Sequence, residues 1–317
     1  MRTDISKLLG IKYPILQGAM ATISDASLVS AVSNAGGLGI IASGQDNADT
    51  VLDRIKATKN LTSKPFGVNI SLLSESAEAV AQLVIEEKIS VVTCGGGNPS
   101  KYLPAWKKAG IKVLSIVPTV SIAKKMADAG ADILIAEGME SGGHIGNITT
   151  MALVPQICSA VNLPVIAAGG IADGRGMAAA VMLGASGVQL GTRFLVAKEC
   201  NVHANYKQQV LEATDTSTVV TGASVGSSFR VIKNTLANKF LTLERSGASS
   251  DEIHQAGIGA LRRASQNGDM ENGSVSMGQI AGLVNEEQTC AEIIDDLMQG
   301  YKATLQETLL FLSDFNS

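Results

Sequence analysis

Short apolar segments alternate with segments of helical character through about residue 194 of this chain. The apolar segments are rich in β-branched and aliphatic residues, and they are Tyr13–Gln17, Leu38–Ala42, Phe66–Ile70, Ser90–Thr93, Lys112–Val117, Ile133–Ala136, Val165–Ala168 and Gly187–Leu190. Most of them are continuously apolar, which is typical of parallel strands that are buried on both faces. The alternation therefore predicts eight parallel strands joined by helices.

The segments between these strands are amphipathic or alanine-rich, as expected of helices. Examples are Ala26–Asn34, Glu75–Glu87, Ile122–Ala129 and Met177–Leu183. Eight strands and seven intervening helices within about 180 residues predict an α/β fold of the (β/α)8 TIM barrel type. A doubly wound open sheet is the alternative, but eight units at this spacing favour closure.

The repeat stops near Phe194, and the chain is more polar and irregular up to about residue 272. Helical character returns at Gly278–Val284 and at Cys290–Phe315. We therefore expect a barrel domain of residues 1–199 and a smaller, mostly helical domain of residues 200–300 that covers the barrel mouth. The end of the last helix, at about 301–317, is expected to pack back on the barrel.

Composition argues against several classes of partner. The net charge of −4 is unlike that of a nucleic-acid-binding protein. No apolar run reaches the roughly 18–20 residues that span a bilayer, and the first residues lack the apolar core of a secretion signal. The two nearest of the four cysteines, Cys158 and Cys200, are 42 residues apart, which argues against a Cys-x-x-Cys site. We expect a cytoplasmic protein with reduced thiols, without nucleic-acid or membrane partners and without a metal centre.

Glycines are concentrated where the predicted strands end, at 17–20, 67–69, 94–97, 137–146, 167–170 and 189–192. In such barrels the chemistry lies at the C-terminal ends of the strands, and the loops after strands seven and eight commonly bind phosphate. Tight turns explain one or two glycines each, but they explain the repeated doublets less well. Because backbone N–H groups without side chains can approach an anion closely, we expect a phosphate site at this end.

One glycine-rich loop carries a histidine, His144, directly after the sixth strand. Gly142, Gly143 and Gly146 surround it, so the imidazole is the functional side chain near the tip of the loop. A lone histidine is often structural, but this one would face the phosphate loops and could exchange protons near neutral pH. We therefore interpret His144 as a functional residue and expect the other two histidines, His203 and His254, at the surface.

Beyond these patterns, the sequence resembles a known enzyme family nearly from end to end. The motifs that carry the resemblance are IKYPILQGAM, NAGGLGII, KPFGVNI, NPSKY, IAEGMESGGHIG, VIAAGGIADG, VQLGTRF, VAKE and GSVSMGQIAGLV. They are similar to motifs of the bacterial flavin-dependent enoyl-acyl carrier protein reductases II, which are sisters of the nitronate monooxygenases. GGH and QLGT occur in both groups. The reductase assignment therefore rests on NPSKY, on GSVSMGQIAGLV and on the overall similarity.

The resemblance implies FMN bound at the barrel mouth, with His144 as the catalytic residue. It implies cofactor contacts from Gly18, Ala19, Met20, Asn69, Glu137, Gly142, Gly143, Ala168, Gly169, Gly170, Gln189, Leu190, Gly191 and Thr192. Met277 and Gln279 would close over the flavin from the second domain. The family usually has QGGMAW where this chain has QGAMAT, so Ala19 and Thr22 alter the pocket wall.

The activity that the resemblance implies is the last step of the fatty-acid elongation cycle. NADH or NADPH would be the co-substrate, and the substrate would be a 2-enoyl thioester carried by acyl carrier protein. Nitronate monooxygenase, which oxidises alkyl nitronates with FMN and O2, is the alternative, and a flavin-binding protein without turnover is a third interpretation. Family members are commonly homodimers and some respond to monovalent cations, so the resemblance extends both properties to this chain.

A carrier-protein substrate adds an electrostatic requirement. Acyl carrier protein is strongly acidic and this chain has a net charge of −4, so docking needs a local basic surface. Between residues 198 and 263 there are eight basic and six acidic residues. The spacing of Arg230, Lys233 and Lys239 predicts one helical face that could serve for docking, and an ordinary solvated charged face is the alternative.

Overall fold

The computed structural model describes residues 4–314 of the 317-residue chain. In chain order its strands are β1 (Ile15–Gln17), β2 (Gly39–Ala42), β3 (Phe66–Ser71), β4 (Val91–Gly95), β5 (Lys112–Val117), β6 (Ile133–Glu137), β7 (Gly143–His144), β8 (Val165–Ala168), β9 (Gly187–Leu190), β10 (Thr218–Thr221) and β11 (Phe229–Ile232). Its α-helices are α1 (Ile5–Leu9), α2 (Ala26–Asn34), α3 (Ala48–Leu61), α4 (Ala77–Glu86), α5 (Leu103–Lys108), α6 (Val120–Ala129), α7 (Thr150–Ala160), α8 (Gly174–Met182), α9 (Thr192–Leu195), α10 (Ala204–Leu211), α11 (Thr235–Arg245), α12 (Ser250–Gly257), α13 (Ala260–Ser265) and α14 (Cys290–Asp314). Short 3₁₀ turns occur at Pro99–Lys101, Ala223–Val225 and Gln279–Leu283.

Eight of these strands form one parallel sheet in the order β1-β9-β8-β6-β5-β4-β3-β2. The two ends of this order meet, because Leu16 and Leu38 form a parallel bridge. The Gln17 N–H also donates to the Leu38 carbonyl at 3.0 Å. A doubly wound sheet would leave its two edge strands apart. The closure therefore confirms the predicted (β/α)8 TIM barrel.

The predicted strands and helices of the barrel are all present, and their ends differ from the prediction by a few residues at most. α2 has the predicted bounds, Ala26–Asn34. α8 begins at Gly174 rather than at Met177, because the Asp173 carboxylate accepts hydrogen bonds from the N–H groups of Arg175 and Gly176. A capping aspartate of this kind fixes where a helix begins.

Aliphatic side chains fill the inside of the barrel, among them the fully buried Leu16, Ile40 and Ile135. α1 covers the N-terminal end of the barrel with Ile5, which is fully buried in the same cluster. Gly187, at the start of β9, leaves room for this contact, since a Cβ there would lie 2.4 Å from Ile5 Cδ1. Space for a ligand is therefore expected at the opposite, C-terminal end of the strands.

The predicted second domain, residues 200–300, contains a small sheet as well as helices. Besides α10 to α13 it contains β10 and β11, an antiparallel hairpin to which the short strand β7 adds a third strand. The connection between the two hairpin strands holds Gly222 and Gly226, both with left-handed φ, at 77° and 72°. Two β-branched runs joined by such glycines are a hairpin pattern, and this hairpin was not predicted from the sequence. The division of the chain into domains of 1–199 and 200–300 stays a prediction.

The long C-terminal helix α14 contacts the barrel through its first half. Ile293, Ile294 and Leu297 are buried, and Gly174 of α8 allows close approach, since a Cβ there would lie 2.1 Å from Tyr301 N. Side chains from 306 to 313 are exposed, so the predicted packing of about 301–317 was placed too far along the helix. Residues 315–317 of that prediction lie outside the described residues. Across residues 4–314, no helix combines the length and apolar character needed to cross a bilayer.

Candidate functional site

The C-terminal ends of four barrel strands bring several of the predicted cofactor residues together. Glu137 of β6 pairs with Ala168 of β8, and Ala168 pairs with Gln189 of β9. The Gly18 N–H donates to the Leu190 carbonyl at 2.8 Å, and the Gln189 side chain lies 3.3 Å from where a Gly18 Cβ would be. These residues therefore form a continuous row along one side of the mouth.

A segment from far along the chain, Met277–Gln279, lies against two of the predicted cofactor loops. The Gly278 N–H donates to Thr192 Oγ1 at 2.8 Å, and the Gln279 N–H donates to the Glu140 carbonyl at 2.9 Å. A Cβ on Gly142 would lie 2.6 Å from the carbonyl carbon of Met277, so this approach requires glycine. The structure thus brings together residues 140–142, Thr192 and 277–279, and their contact with a cofactor stays a prediction.

The glycine doublet after β8 adopts backbone conformations that other residues rarely reach. Gly169 and Gly170 have φ of 86° and 73°. A Cβ on Gly169 would lie 2.8 Å from the Gly138 carbonyl oxygen. Beside Gly170, the Glu140 carboxylate accepts hydrogen bonds from the Thr150 N–H at 2.9 Å and from its hydroxyl at 2.8 Å. Glu140 therefore joins the start of α7 to the loop that follows β6.

Two buried hydroxyls, Ser141 Oγ and Ser276 Oγ, lie beside these loops. The Ser141 side chain interacts with the Glu137 carboxyl group and lowers its pKa against the effect of burial. Ser276 Oγ has no hydrogen-bond partner within the described residues 4–314, and an unpaired buried polar group of this kind costs about 1–3 kcal/mol. Ser141 precedes Gly142 and Ser276 precedes Met277, so both flank the contact just described. Neither serine was predicted from the sequence, although both lie within the motifs SGGHIG and GSVSMGQ.

The carboxyl group of Glu137 is enclosed at the end of β6. Burial raises its pKa to about 7. Near neutral pH, a substantial share of molecules therefore holds a proton on this group. Glu137 can then donate as well as accept a hydrogen bond, unlike an ordinary ionised glutamate.

The other predicted cofactor residues lie at the ends of β1, β3 and β9. Asn69 is at the end of β3, and its Nδ2 donates to Thr93 Oγ1 at 2.9 Å. Ala19 and Met20 are partly buried in the loop after β1. A Cβ on Gly191 would come 3.9 Å from Met20 Sδ, so this loop lies against the end of β9.

Side chains from the later part of the chain fasten α13 to the barrel loops. The Thr22 and Ser265 hydroxyls are 2.8 Å apart, and Thr22 has a left-handed φ of 67°. The buried Asp46 carboxylate accepts from Arg54 at 2.8 Å and from Arg262 of α13 at 2.7 Å. Thr22 therefore joins the wall of the mouth to the segment that covers it.

His144 lies on β7, at the rim formed with the hairpin. In the register of this pairing His144 is opposite Phe229, and their ring centroids are 4.7 Å apart at an interplanar angle of 86°. The residue is exposed, and no hydrogen bond to the ring is made by any described residue. Burial by the surrounding protein lowers the pKa of the imidazole. The ring is therefore neutral at pH 7, with one nitrogen as donor and the other as acceptor.

Arg230 is not part of a surface patch, contrary to the prediction. It lies on β11, it is 4% exposed, and its Nε and Nη2 donate to the Met139 carbonyl at 3.2 and 2.9 Å. Its Nη1 donates to Thr218 Oγ1 at 3.2 Å. Lys233 follows the strand and Lys239 lies on α11, so the three cations occupy different elements. The prediction of one helical face was wrong because a strand precedes the helix.

The two remaining histidines are away from this rim. His254 is exposed on α12, as predicted. His203 is half-buried, and its Nδ1 accepts a hydrogen bond from the Asn205 N–H at 3.1 Å, which caps α10. Within residues 4–314 no three or more His, Cys, Asp or Glu side chains are grouped so that they could hold a metal ion.

Comparison with known proteins agrees with this fold. A family model described as nitronate monooxygenase matches residues 2–82 and 74–300. The structure of FabK from Thermotoga maritima superposes with a TM-score of 0.95 at 46% identity, over 98% of this chain and 99% of that one. That of nitroalkane oxidase from Streptomyces ansochromogenes has a TM-score of 0.86 at 26% identity, over 96% and 100%.

A curated relative from Mycobacterium tuberculosis is (3aS,4S,5R,7aS)-5-hydroxy-7a-methyl-1-oxo-octahydro-1H-indene-4-carboxyl-CoA dehydrogenase, which is 33% identical over 94% of this chain and 95% of its own length. The family model spans nearly the whole chain, and the relatives at 33% and 46% identity also cover most of it. The chain therefore belongs to the nitronate monooxygenase family.

Proposed function

We propose that this protein reduces the carbon–carbon double bond of a 2-enoyl thioester on acyl carrier protein, with FMN as cofactor and NADH or NADPH as co-substrate. In the net reaction a hydride and a proton add across the double bond, and the nicotinamide is oxidised. The observation that carries the proposal is His144, a neutral imidazole without a hydrogen-bond partner at the rim of the barrel mouth. Such a group can donate a hydrogen bond to a substrate, or it can relay a proton by accepting one on its free nitrogen while the other nitrogen gives its proton up.

The comparisons favour a thioester substrate over a nitronate. FabK, which belongs to the reductase class that the motifs resemble, shares 46% identity with this chain, against 26% for the nitroalkane oxidase. The Mycobacterium relative is named for a carboxyl-CoA compound, which is also a thioester. These names support an oxidoreductase that acts beside a thioester carbonyl.

The residues around the mouth fit FMN. Its terminal phosphate needs N–H donors that side chains do not obstruct, and the doublet Gly169–Gly170 and the pair Gly191–Thr192 can provide them. The unpartnered hydroxyl of Ser276 is a further donor beside the same loops. When bound, FMN would supply the two-electron chemistry that carries hydride from the nicotinamide to the β-carbon of the enoyl group.

The residues of this chain would bind and orient the cofactor and the substrate, and they would supply the proton. Glu137, which keeps a proton in a substantial share of molecules near neutral pH, can hydrogen-bond a ring heteroatom as donor or acceptor. Met277 and Gln279 lie over the loops and would exclude water from the space beneath them. His144 would donate a hydrogen bond to the thioester carbonyl or pass the proton to the α-carbon, two roles that remain alternatives.

We expect the purified protein to be yellow and to release FMN rather than FAD on denaturation, because no adenosine-binding fingerprint accompanies the phosphate loops. Without air, NADH or NADPH should bleach the flavin colour, and crotonyl-CoA should restore it. The measurement is the absorbance of the oxidised flavin through the two half-reactions, repeated with added K⁺ or Na⁺ to test for a cation.

Three results would contradict this prediction in different ways. Release of FAD, or no flavin after reconstitution, would overturn the cofactor. Bleaching by an alkyl nitronate but not by a nicotinamide would favour a nitronate monooxygenase. A bound FMN that neither donor bleaches would favour a flavin-binding protein without turnover.

The positions of the basic residues in the structure change the surface on which we expect acyl carrier protein to dock. Lys233 and Lys239 are exposed near β11 and on α11, whereas Arg230 is buried and unavailable. We expect the double charge reversal Lys233→Glu/Lys239→Glu to raise KM for the carrier-protein substrate by about 3- to 10-fold and to leave KM for the CoA thioester unchanged. The effect should shrink at high salt, because exposed charges are then screened.

A matched variant controls for the change in net charge. Lys124 and Lys125 are exposed on α6, on the outside of the barrel. Their reversal changes the net charge by the same −4 but should alter neither KM. Equal KM values for the carrier-protein substrate in the two double variants would show that Lys233 and Lys239 form only a solvated face.

A further inference from the structure

His144 is exposed, and it has no hydrogen bond that would set its orientation. Histidines that act in catalysis are usually held by a hydrogen bond to the second ring nitrogen, which also selects the tautomer. No described residue within 4–314 provides one here. Gly143 on one side and Gly146 on the other have no side chains to confine the ring. Packing against a neighbouring side chain must therefore set the ring orientation that a hydrogen bond sets in other catalytic histidines.

The ring that packs on His144 is Phe229 of β11. The two residues are directly opposite in the antiparallel register, and the ring centroids are 4.7 Å apart at 86°. Aromatic rings prefer this edge-to-face arrangement to other orientations. The Phe229 ring also covers Gly143, since a Cβ there would lie 3.9 Å from Phe229 Cε2. One side chain thus contacts both residues of β7.

Phe229 is itself held firmly on both sides. β11 pairs with β10 over four residues, from Thr218 opposite Ile232 to Thr221 opposite Phe229. The next residue, Arg230, points to the other face of the strand, as side chains alternate. Its guanidinium donates twice to the Met139 carbonyl, in the loop that leads to β7. These hydrogen bonds therefore fix the position of β11 relative to the loop that leads to His144.

We propose that Phe229 is the positioning residue for His144, holding the imidazole in one orientation toward a substrate at the barrel mouth. This inference rests on the proposed function for its consequence in catalysis, but the orientation itself does not depend on any activity. The ring also removes water from one face of the imidazole. This effect agrees with burial as the cause of the lowered His144 pKa.

Charged groups do not account for the environment of His144. The charged residues of β11 and of the loop before β7 are Arg230, on the far face of β11, and Glu140, which accepts hydrogen bonds from Thr150. Neither makes a direct contact with the imidazole among the described residues, and neither is a cause of its shifted pKa. The contact with the Phe229 ring is therefore the interaction that fixes the orientation of the imidazole.

The test compares Phe229→Leu with Phe229→Tyr, which keeps the ring, and with the matched control Phe240→Leu. Phe240 is a half-buried phenylalanine of α11 that packs toward Gly257. The chain has three histidines, so isotope labelling of histidine gives three imidazole signals to assign and titrate by NMR. In Phe229→Leu we expect the His144 signals to lose their aromatic ring-current shift and its pKa to rise toward the ordinary value. His203 and His254 should not change.

The kinetic consequence is a fall in kcat for the enoyl substrate of about 3- to 10-fold in Phe229→Leu, with KM for the nicotinamide unchanged. Phe229→Tyr should restore both the NMR shifts and kcat, and all variants should retain flavin. Unchanged His144 shifts and pKa in Phe229→Leu would overturn the proposal, as would an equal effect of Phe240→Leu. A wild-type protein without enoyl reduction would instead overturn the proposed function, while the NMR comparison would still decide whether Phe229 orients His144.

Discussion

Replacing His144 with alanine is expected to lower the rate of enoyl reduction by about 10²–10⁴-fold, the usual contribution of a positioned acid–base group. Flavin should remain bound, because the substitution leaves the glycine loops after β8 and β9 intact. The measurements are the flavin content of the purified variant, the rate of bleaching by nicotinamide and the kcat with crotonyl-CoA. We expect only the last of these to change strongly.

Two further variants sharpen this prediction. His254→Ala removes an exposed histidine on α12 and should leave all three measurements unchanged. His144→Gln keeps a hydrogen-bond donor but cannot carry a proton, so partial activity would favour the hydrogen bond to the thioester carbonyl. Activity as low as in His144→Ala would favour proton transfer to the α-carbon. Turnover of crotonyl-CoA near the wild-type rate in His144→Ala would remove the residue from the catalytic site.

Replacing Gly142 with alanine is expected to weaken FMN binding by about 10- to 100-fold. The new Cβ would lie 2.6 Å from the Met277 carbonyl carbon and 2.8 Å from Gly278 N, and a backbone cannot rotate out of the way. Overpacking of this kind costs about 1–3 kcal/mol, and about 1.4 kcal/mol corresponds to a tenfold change in affinity. The segment 277–279 would have to move away from Thr192 and from the Glu140 carbonyl, which opens the site.

The affinity is measured by titrating FMN into apoprotein and following the flavin fluorescence. Gly95→Ala is the matched control at the same end of the barrel, because its Cβ would lie an ordinary 3.4 Å from Ile116 Cδ1. This variant should bind FMN as the wild-type protein does. Unaltered binding in Gly142→Ala would mean that the contact between Gly142 and Met277 is not part of the cofactor site.

Local patterns were sufficient to predict the barrel. A strand that is buried on both faces must be apolar along its length, and a helix packed on it must be apolar along one stripe, so both appear in a few consecutive residues. For this reason Lys112–Val117 and Ala26–Asn34 were predicted with their observed bounds. Local patterns did not predict the hairpin at 218–232, because this polar region was interpreted as part of a mostly helical domain.

The site was predicted from the sequence only in part. The glycine-rich strand ends and His144 could be located, because barrel topology brings all C-terminal strand ends to one side. The individual cofactor residues came from the resemblance to the enoyl reductases, and their roles stay predictions. Ser141 and Ser276 were missed, since nothing in a sequence shows that a hydroxyl is buried, beside the Glu137 carboxyl group in one case and without a partner in the other.

The sequence by itself determined the fold class and the end of the barrel where the chemistry lies. Only the tertiary structure decided what surrounds His144, because the contacts join residues far apart in the chain: His144 with Phe229, and Gly142 with Met277. It also decided that Arg230 is a buried tether rather than a surface cation. The physical reason is that secondary structure follows from the periodicity of neighbouring residues. The neighbours of a side chain across the barrel mouth depend instead on how distant segments pack.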